Sequence, residues 1–129
     1  MSGDEKLDAL GKALQRFDES LQFEASHPLV VDASIQRFEF CIELSWKALK
    51  ACLAREGVSA NTPRECLQQA FAARWFDDEK AWLSMLKDRS LTSLTYQDDL
   101  ALEIYRRLPR HYQAINALHS FLINHFRPW

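Results

Sequence analysis

Hydrophobic residues recur at helical spacing from the start of the chain. From about Asp4 to Ser26, leucine and phenylalanine follow one another in steps of three and four residues, which places them on one face of a helix. These positions are Leu7, Leu10, Leu14, Phe17 and Leu21. The segment ends at His27-Pro28, because the residue before a proline is pushed out of the α region. The pattern predicts a first helix with one buried face.

Helix-end signals divide the next part of the chain. The second predicted helix runs from about Leu29 to Gly57, where the glycine suits a left-handed C-terminal cap. Thr62, Pro63 and Glu65 then have the spacing of a capping box with proline at the first helical position. They predict a short third helix that ends near Ala73.

A fourth helical pattern begins at the acidic residues Asp77–Glu79, since negative charge is favourable at a helix N-terminus. It carries Trp82 and Met85 on its inward face and ends near Ser90. A turn is predicted over Leu91–Leu94.

The last predicted helix begins at a capping signal, Thr95 with Asp98 three residues later, and continues to about His125. Pro109 lies inside it and is expected to kink it or to split it in two. No segment of the sequence shows sustained strand alternation. We therefore predict an all-α protein, an up-and-down bundle of four or five helices that forms a single domain over residues 1–129.

The second helix is apolar over an unusually wide arc. At about 100° per residue, its central residues sweep about 240° of the circumference, whereas one buried face needs about 100°. The arc contains Phe38, Phe40, Cys41, Ile42, Leu44, Ser45 and Trp46. Such a helix is central in its bundle, or it also contributes to an interface. Phe40, Leu44 and Trp46 are therefore candidate contacts with a partner or with a second copy of the chain.

Two glutamates, Glu39 and Glu43, occupy the remaining strip of this helix one turn apart. Like charges at this spacing repel each other unless a cation intervenes. Lys47 could neutralise Glu43 on a solvated surface. Alternatively, one glutamate faces Arg89, which extends the inward stripe of the fourth helix. An arginine at such a position needs a carboxylate, a backbone oxygen or a phosphate, so these three residues form a candidate anion-binding cleft.

Composition narrows the possible chemistry. The formal charge of -2 lacks the basic excess that is usual in proteins that bind a nucleic-acid duplex. Three cysteines without a Cys-x-x-Cys pair argue against a disulfide framework and a zinc site. The polar, acidic first residues and the lack of an apolar run of about 18 residues predict a cytoplasmic protein without a membrane span.

No portable catalytic or cofactor motif occurs in the sequence. Neither a phosphate-binding loop nor a dinucleotide fingerprint is present, so no cofactor is expected. His111, His119 and His125 are spaced too widely along one helix to share a metal ion, and we expect them to be surface or packing residues. No metal site is predicted.

Three stretches taken together resemble a known family. Arg37–Lys50, Thr62–Phe71 and Asp88–Tyr96 are similar to corresponding stretches of the nucleotidyltransferase substrate-binding proteins, which belong to the HEPN superfamily. The resemblance covers about residues 37–105, over half of the chain. It implies a HEPN-like bundle that homodimerises around a cleft and binds a separate minimal nucleotidyltransferase. It also implies a binding subunit that presents a substrate, or itself, to that enzyme.

Some relatives of this family form toxin–antitoxin pairs. In these pairs the helical protein is a metal-independent ribonuclease with an Arg-x4-His motif, and adenylation of a tyrosine two residues after the histidine silences it. Arg89 matches the arginine and Tyr96 matches the tyrosine, but Leu94 stands in place of the histidine.

Leucine cannot transfer a proton, and losing a general acid or base costs about 10²–10⁴ in rate. The resemblance therefore favours a non-catalytic subunit with weak RNA affinity at most. The alternative is a degenerate ribonuclease that its partner regulates by adenylation of Tyr96. A third hypothesis is a cleft that binds a nucleotide or another anion through Arg89, with rim charge from Arg106, Arg107 and Arg110.

Overall fold

Five α-helices account for most of residues 3–24 and 27–129, which are the residues that the computed structural model describes. The helices are α1 (Gly3–Leu21), α2 (Pro28–Arg55), α3 (Pro63–Ala72), α4 (Glu79–Leu91) and α5 (Asp98–Phe126), and a short 3-10 helix, Thr92–Leu94, follows α4. No strand occurs within these residues. The prediction of an all-α protein is confirmed. No helix in the described ranges is long and apolar enough to span a membrane.

The three long helices, α1, α2 and α5, pack against one another, while α3 packs mainly on α2 and α4 mainly on α5. Each of these helices buries an apolar stripe, and burial of one large apolar side chain contributes about 1.5–3 kcal/mol. The largest fully buried side chains are Leu7, Leu10, Phe17, Phe38, Ile42, Leu49, Leu53, Met85, Ile104, Leu108, Ile115 and Leu118. The core therefore lies between α1, α2 and α5 and is closed on one side by α4.

The C-terminal end of α2 follows the prediction made from its glycine. Gly57 has a φ of 80°, and its amide donates to the carbonyl of Ala54 at 3.0 Å. The Val58 amide reaches back to the carbonyl of Leu53 at 2.8 Å. This pair of bonds is a Schellman motif, in which glycine adopts the left-handed conformation at little steric cost.

The end of α3 has the same motif with a different residue at its centre. Arg74 has a φ of 62°, its amide donates to Phe71 at 2.9 Å, and the Trp75 amide donates to Ala70 at 3.0 Å. A left-handed conformation costs a residue with a side chain about 1–2 kcal/mol. Arginine therefore occupies a position where the backbone favours glycine.

Two predicted helix boundaries need correction. The first helix ends at Leu21, before the predicted end at Ser26, which lies outside the described residues. The apolar stripe also ends at Leu21, and Phe23 just beyond it is 66% exposed. Thr95 does not cap α5, because its hydroxyl donates to the Thr92 carbonyl at 2.8 Å. Gln97 occupies the N-cap position without a side-chain hydrogen bond.

Pro109 does not split the last helix, which is continuous from Asp98 to Phe126. A proline inside a helix costs about 3 kcal/mol because it removes one backbone hydrogen bond and crowds the preceding turn. Leu108 and Ile115 on either side of it are fully buried in the core. Tertiary packing of the buried face therefore holds α5 together across the proline.

The three cysteines are free and buried. Cys41 and Cys52 lie on α2, and Cys66 lies on α3. Burial raises the pKa of the Cys41 and Cys52 thiols to about 12 and also raises the pKa of Cys66. All three are therefore protonated thiols that pack as apolar side chains at neutral pH.

Candidate functional site

Two neighbouring residues of α4 point toward different helices. Asp88 contacts α5, and Arg89 contacts α2. Successive residues of a helix are rotated by about 100°, so one turn of α4 can engage both neighbours. Each contact forms a separate charged cluster.

The cluster on α2 contains the arginine that the resemblance singled out. Arg89 Nε donates to Glu43 Oε1 at 2.5 Å, and a second guanidinium nitrogen contacts the same oxygen. The other carboxylate oxygen of Glu43 accepts a hydrogen bond from Trp46 Nε1 at 2.9 Å. The side chains of Arg89 and Glu43 are each 37% exposed. A ligand from solvent can therefore reach the pair.

The pKa values of Glu39 and Glu43 shift in opposite directions, although the two residues lie one turn apart. Burial raises the pKa of Glu39, and the charge of Glu43 adds to the effect, against a hydrogen bond from Thr92 and the charge of Arg89. Burial also acts on Glu43, but the hydrogen bonds from Trp46 and Arg89 outweigh it and lower its pKa. The structure thus brings Glu39, Glu43 and Arg89 together, with Glu43 as the direct partner of the arginine. An anion that binds Arg89 competes with this carboxylate.

The second cluster is buried and was not predicted from the sequence. Asp88 is 2% exposed and accepts two hydrogen bonds from Arg107, from Nε to Oδ2 and from Nη2 to Oδ1, each at 2.8 Å. His111 Nε2 lies 2.7 Å from Asp88 Oδ2, and the imidazole stacks on Phe38 with 5.1 Å between ring centroids. One buried carboxylate therefore holds two side chains of α5.

The sequence contained a signal for this cluster. Asp88 lies three residues after Met85 and so continues the inward stripe of α4 with a carboxylate in place of an apolar residue. Arg107 and His111 are spaced by four residues, which places both on one face of α5. A charged residue on a buried stripe requires such partners.

The charge states in the buried cluster follow from its geometry. Burial, together with the charge of Arg107, lowers the pKa of His111 more than Asp88 raises it. The imidazole is therefore neutral at neutral pH and donates its Nε2 proton to the carboxylate. Burial would raise the pKa of Asp88, but hydrogen bonds from Arg107 and His111 outweigh this effect and lower it. His111 is therefore a packing residue that is committed to Asp88. His119 is also engaged, with Nε2 2.8 Å from the Leu7 carbonyl oxygen.

The segment between α4 and α5 exposes the two remaining positions of the resemblance. Leu94 is 40% exposed at the end of the 3-10 helix, and Tyr96 is 76% exposed two residues later. Gln97 Nε2 donates to the Tyr96 hydroxyl at 3.5 Å. This phenol is therefore accessible to a partner protein.

The wide apolar arc of α2 is mostly covered within this one chain. Leu44 and Trp46 are half-buried against the core, whereas Phe40 is 56% exposed. The other members of the arc, Phe38, Cys41, Ile42 and Ser45, are buried. Phe40 shares a face with Glu43 and Leu44 at helical spacing, so an exposed aromatic ring lies beside the Arg89–Glu43 pair.

No group of three or more potential metal ligands converges anywhere in residues 3–24 and 27–129. The charged residues of the site pair with one another, Arg89 with Glu43 and Arg107 with Asp88. What the arrangement leaves accessible to solvent is the Arg89–Glu43 pair, the Tyr96 phenol and the Phe40 ring.

Comparison with known proteins shows which family the chain belongs to. A model of sequences described as nucleotidyltransferase substrate binding protein like matches residues 5–123. The probable ribonuclease HepT of Haemophilus influenzae is 26% identical over 84 residues, which are 61% of this chain and 58% of that protein. The match thus spans less than two thirds of that relative.

Two solved structures share the fold. A crystal structure of a protein from Thermus thermophilus has a TM-score of 0.83 and 37% identity, covering 88% of this chain and 98% of that one. The structure of HI0074 from Haemophilus influenzae, which reveals the fold of a substrate binding domain of a nucleotidyltransferase, has a TM-score of 0.80. It is 21% identical and covers 90% of this chain and 98% of that one, so it shows the common fold. Since the family model covers nearly the whole chain, this protein belongs to the nucleotidyltransferase substrate binding protein family.

Proposed function

We propose that this protein is a non-catalytic, homodimeric subunit that docks a separate minimal nucleotidyltransferase and presents a substrate, or itself, for nucleotidyl transfer. The observation that carries the proposal is the family match over residues 5–123. The fold shared with the substrate binding domain HI0074 supports it.

The non-catalytic part of the proposal rests on the residues around Arg89. Leu94 occupies the position at which the ribonuclease motif has a histidine, and a hydrocarbon side chain cannot move a proton. His111 is buried with Asp88, and His119 is bonded to a backbone carbonyl. Neither imidazole is free to replace the missing one at Arg89.

The homodimer part of the proposal rests on Phe40 and its surroundings. An aromatic ring that is 56% exposed next to an ion pair has the composition of an interface centre, where aromatic residues and arginine contribute most of the binding energy. Leu44 and Trp46 extend this surface at its edges. We assign it to contact with a second copy of the chain, and Tyr96 with its neighbours to contact with the nucleotidyltransferase.

A matched pair of variants tests the dimer. Phe40→Glu should convert the protein to a monomer in light scattering, because a carboxylate would be buried without a partner at the interface centre. Leu29→Glu changes a residue that is 69% exposed on the same helix and should leave the oligomeric state unchanged. A wild-type protein that is already monomeric at working concentration would refute homodimerisation.

Docking is tested by co-elution of the chain with its candidate nucleotidyltransferase. The expected result is a stable complex, which separate elution of the two proteins would contradict.

The alternative function, a degenerate ribonuclease regulated by adenylation, is favoured by the HepT relative and by the exposure of Tyr96.

The alternative function requires that Tyr96 can be adenylated and that restoring the motif histidine produces ribonuclease activity. With ATP and Mg²⁺, the Tyr96 oxygen would attack the α-phosphorus, the phenolic proton would leave, and pyrophosphate would be released. Intact mass should then rise by one adenylate in the wild type and stay constant in Tyr96→Phe. Restoring the motif with Leu94→His should produce RNA cleavage. A variant without cleavage, together with an unchanged mass, would exclude this alternative.

A further inference from the structure

An open cleft lies on the side of α4 away from Arg89. It is bounded by residues 74–78, by the beginning of α4 and by the middle of α5, and its volume is about 960 Å³. Sites for small molecules typically measure about 300–1,000 Å³. The cleft is thus large enough for a ligand the size of a nucleotide.

Four cationic side chains line this cleft: Arg74, Lys80, Arg107 and Arg110. Two carboxylates, Asp77 and Asp78, lie at its exposed rim, and Asp78 Oδ1 already accepts the Ala81 amide as the cap of α4. Cations therefore outnumber carboxylates in the lining, and the imidazole of His111 adds no charge while it is neutral.

Three of the four cations form no ion pair within the described residues. Within residues 3–24 and 27–129, no carboxylate lies within ion-pair distance of Arg74, Lys80 or Arg110, although the chain contains more acidic than basic residues. All three line the same concave surface, so an anion there could pair with cations that Asp77 and Asp78 leave without a direct partner.

The fourth cation is held in place before any ligand arrives. Asp88 fixes Arg107 through two hydrogen bonds, which leaves the Nη1 group and one Nη2 proton of a side chain that is 38% exposed. Arg110 follows three residues later on the same face of α5. A pre-oriented guanidinium loses less conformational entropy on binding, and its planar fork suits the oxygens of a phosphoryl group.

Arg74 reaches the cleft at a conformational cost. It occupies the left-handed position of the Schellman motif that ends α3, where Gly57 serves the equivalent role at the end of α2. Strained backbone of this kind is concentrated at functional positions. The turn itself does not require an arginine, and the side chain at this position lines the cleft.

The inner wall of the cleft is apolar. Trp75 and Trp82 are buried beneath it, Phe76 is half-buried, and Ala114 and Leu118 of α5 complete the surface. A ligand that fills the cleft would place charged groups against the cations and a planar or apolar body against this wall.

We propose that the cleft between residues 74–78 and α5 binds a phosphorylated small molecule of nucleotide size, with its phosphoryl groups at Arg74, Lys80, Arg107 and Arg110. The proposal deepens the substrate-binding role proposed above by naming a site and a ligand class. It involves the face of α4 opposite to Arg89 and does not require a dimer.

Calorimetric titration of the full chain alone with ATP, inorganic tripolyphosphate and adenosine tests the proposal. We expect ATP to bind more tightly than tripolyphosphate, and adenosine to bind most weakly. Arg110→Ala should weaken ATP binding by about tenfold, the usual value of one charge-assisted hydrogen bond. Arg106→Ala is the matched control, because Arg106 lies on α5 next to Arg107 but does not line the cleft.

Arg74→Gly separates loss of a contact from damage to the fold. It should weaken ATP binding by a similar factor while raising the melting temperature, because glycine relieves the left-handed strain. Arg107→Ala would leave the buried carboxylate of Asp88 without its arginine, so it serves only as a supplementary variant.

Binding of ATP that is reduced in Arg110→Ala and Arg74→Gly but kept in Arg106→Ala would support the site. Absence of ATP binding at millimolar concentration, or an equal reduction in all three variants, would overturn it. Tripolyphosphate that binds as tightly as ATP would overturn the assignment of a nucleotide body. Co-elution of the Arg110→Ala variant with the nucleotidyltransferase is measured separately, so a failed cleft is distinguishable from a failed docking partner.

Discussion

The two charged clusters of α4 begin at adjacent residues and have opposite character. The Asp88 cluster is buried, with a carboxylate that is 2% exposed and three hydrogen bonds from α5. The Arg89–Glu43 pair is exposed by more than a third on each side. Burial separates the two clusters: the first holds α4 against α5 through buried hydrogen bonds, and the second remains accessible to solvent.

The two clusters also differ in how easily they are recognised from the sequence. Arg89 belongs to a stretch that resembles a known motif, whereas the signal for Asp88 is only its place on the inward stripe of α4, and the fold alone shows that Arg107 and His111 are its partners. The more strongly bonded cluster is thus the less visible one.

Removal of the buried carboxylate should have the largest effect. Asp88→Ala should lower the free energy of unfolding by about 2–4 kcal/mol, because it breaks a buried network and leaves the His111 donor without a partner. Urea denaturation measures the change. Asp32→Ala on the exposed side of α2 is the control and should change the value by less than about 0.5 kcal/mol. Equal effects of the two substitutions would mean that the buried cluster does not stabilise the fold.

Acidification should have the second largest effect, because it lowers the contribution of the buried cluster to the free energy of unfolding. Burial lowers the pKa of His111 below its ordinary value of 6.5. Between the two pKa values, the histidine is mostly protonated in the unfolded chain and mostly neutral in the folded chain. This contribution to stability is complete above pH 6.5 and is lost as the pH falls toward the lowered pKa. The lowered pKa of Asp88 adds a second loss below its ordinary value of 3.8.

Urea midpoints at about pH 7.5 and about pH 5, on either side of the ordinary histidine pKa, measure this dependence. His111→Gln keeps a donor for Asp88 but removes the titrating group, so its midpoint should fall less between the two pH values than that of the wild type. A wild-type midpoint that rises on acidification would contradict the sign of the His111 shift.

Breaking the exposed Arg89–Glu43 pair should have the smallest effect on the free energy of unfolding. Arg89→Gln should change the free energy of unfolding by no more than about 1 kcal/mol, because both side chains are partly solvated. A double-mutant cycle with Glu43→Gln isolates the coupling, which added salt should reduce by screening. A coupling that is larger than the effect of Asp88→Ala would remove the distinction between the two clusters.

Local patterns were enough to predict most helices but not every boundary. Thr62 caps α3 as predicted, with its hydroxyl accepting the Glu65 amide at 3.1 Å, and Glu65 in return accepts from the Asn61 amide at 2.9 Å. Gly57 has the expected left-handed conformation. These features depend on neighbours within a few residues. The continuity of α5 across Pro109 depends on packing against distant helices, which no local rule contains.

The cleft was missed for a related reason. Its cations come from the end of α3, the beginning of α4 and the middle of α5, so their convergence exists only in the fold. Arg74 had no local signal, since a left-handed position is expected to carry glycine or asparagine. Arg106, Arg107 and Arg110 were considered as rim charge of a cleft at Arg89, but Arg107 and Arg110 line a cleft that contains neither Arg89 nor Arg106.

The buried thiols link the redox chemistry of this protein to its folding. Oxidants and alkylating agents react with thiolates, and the pKa values of Cys41 and Cys52 are raised to about 12. Neither sulfur can react at an appreciable rate until its helix separates from the bundle. The rate at which a thiol reagent modifies these cysteines therefore measures how often the bundle opens. Cys66 on the ten-residue α3 reports separately on whether that helix detaches from α2 before the core does.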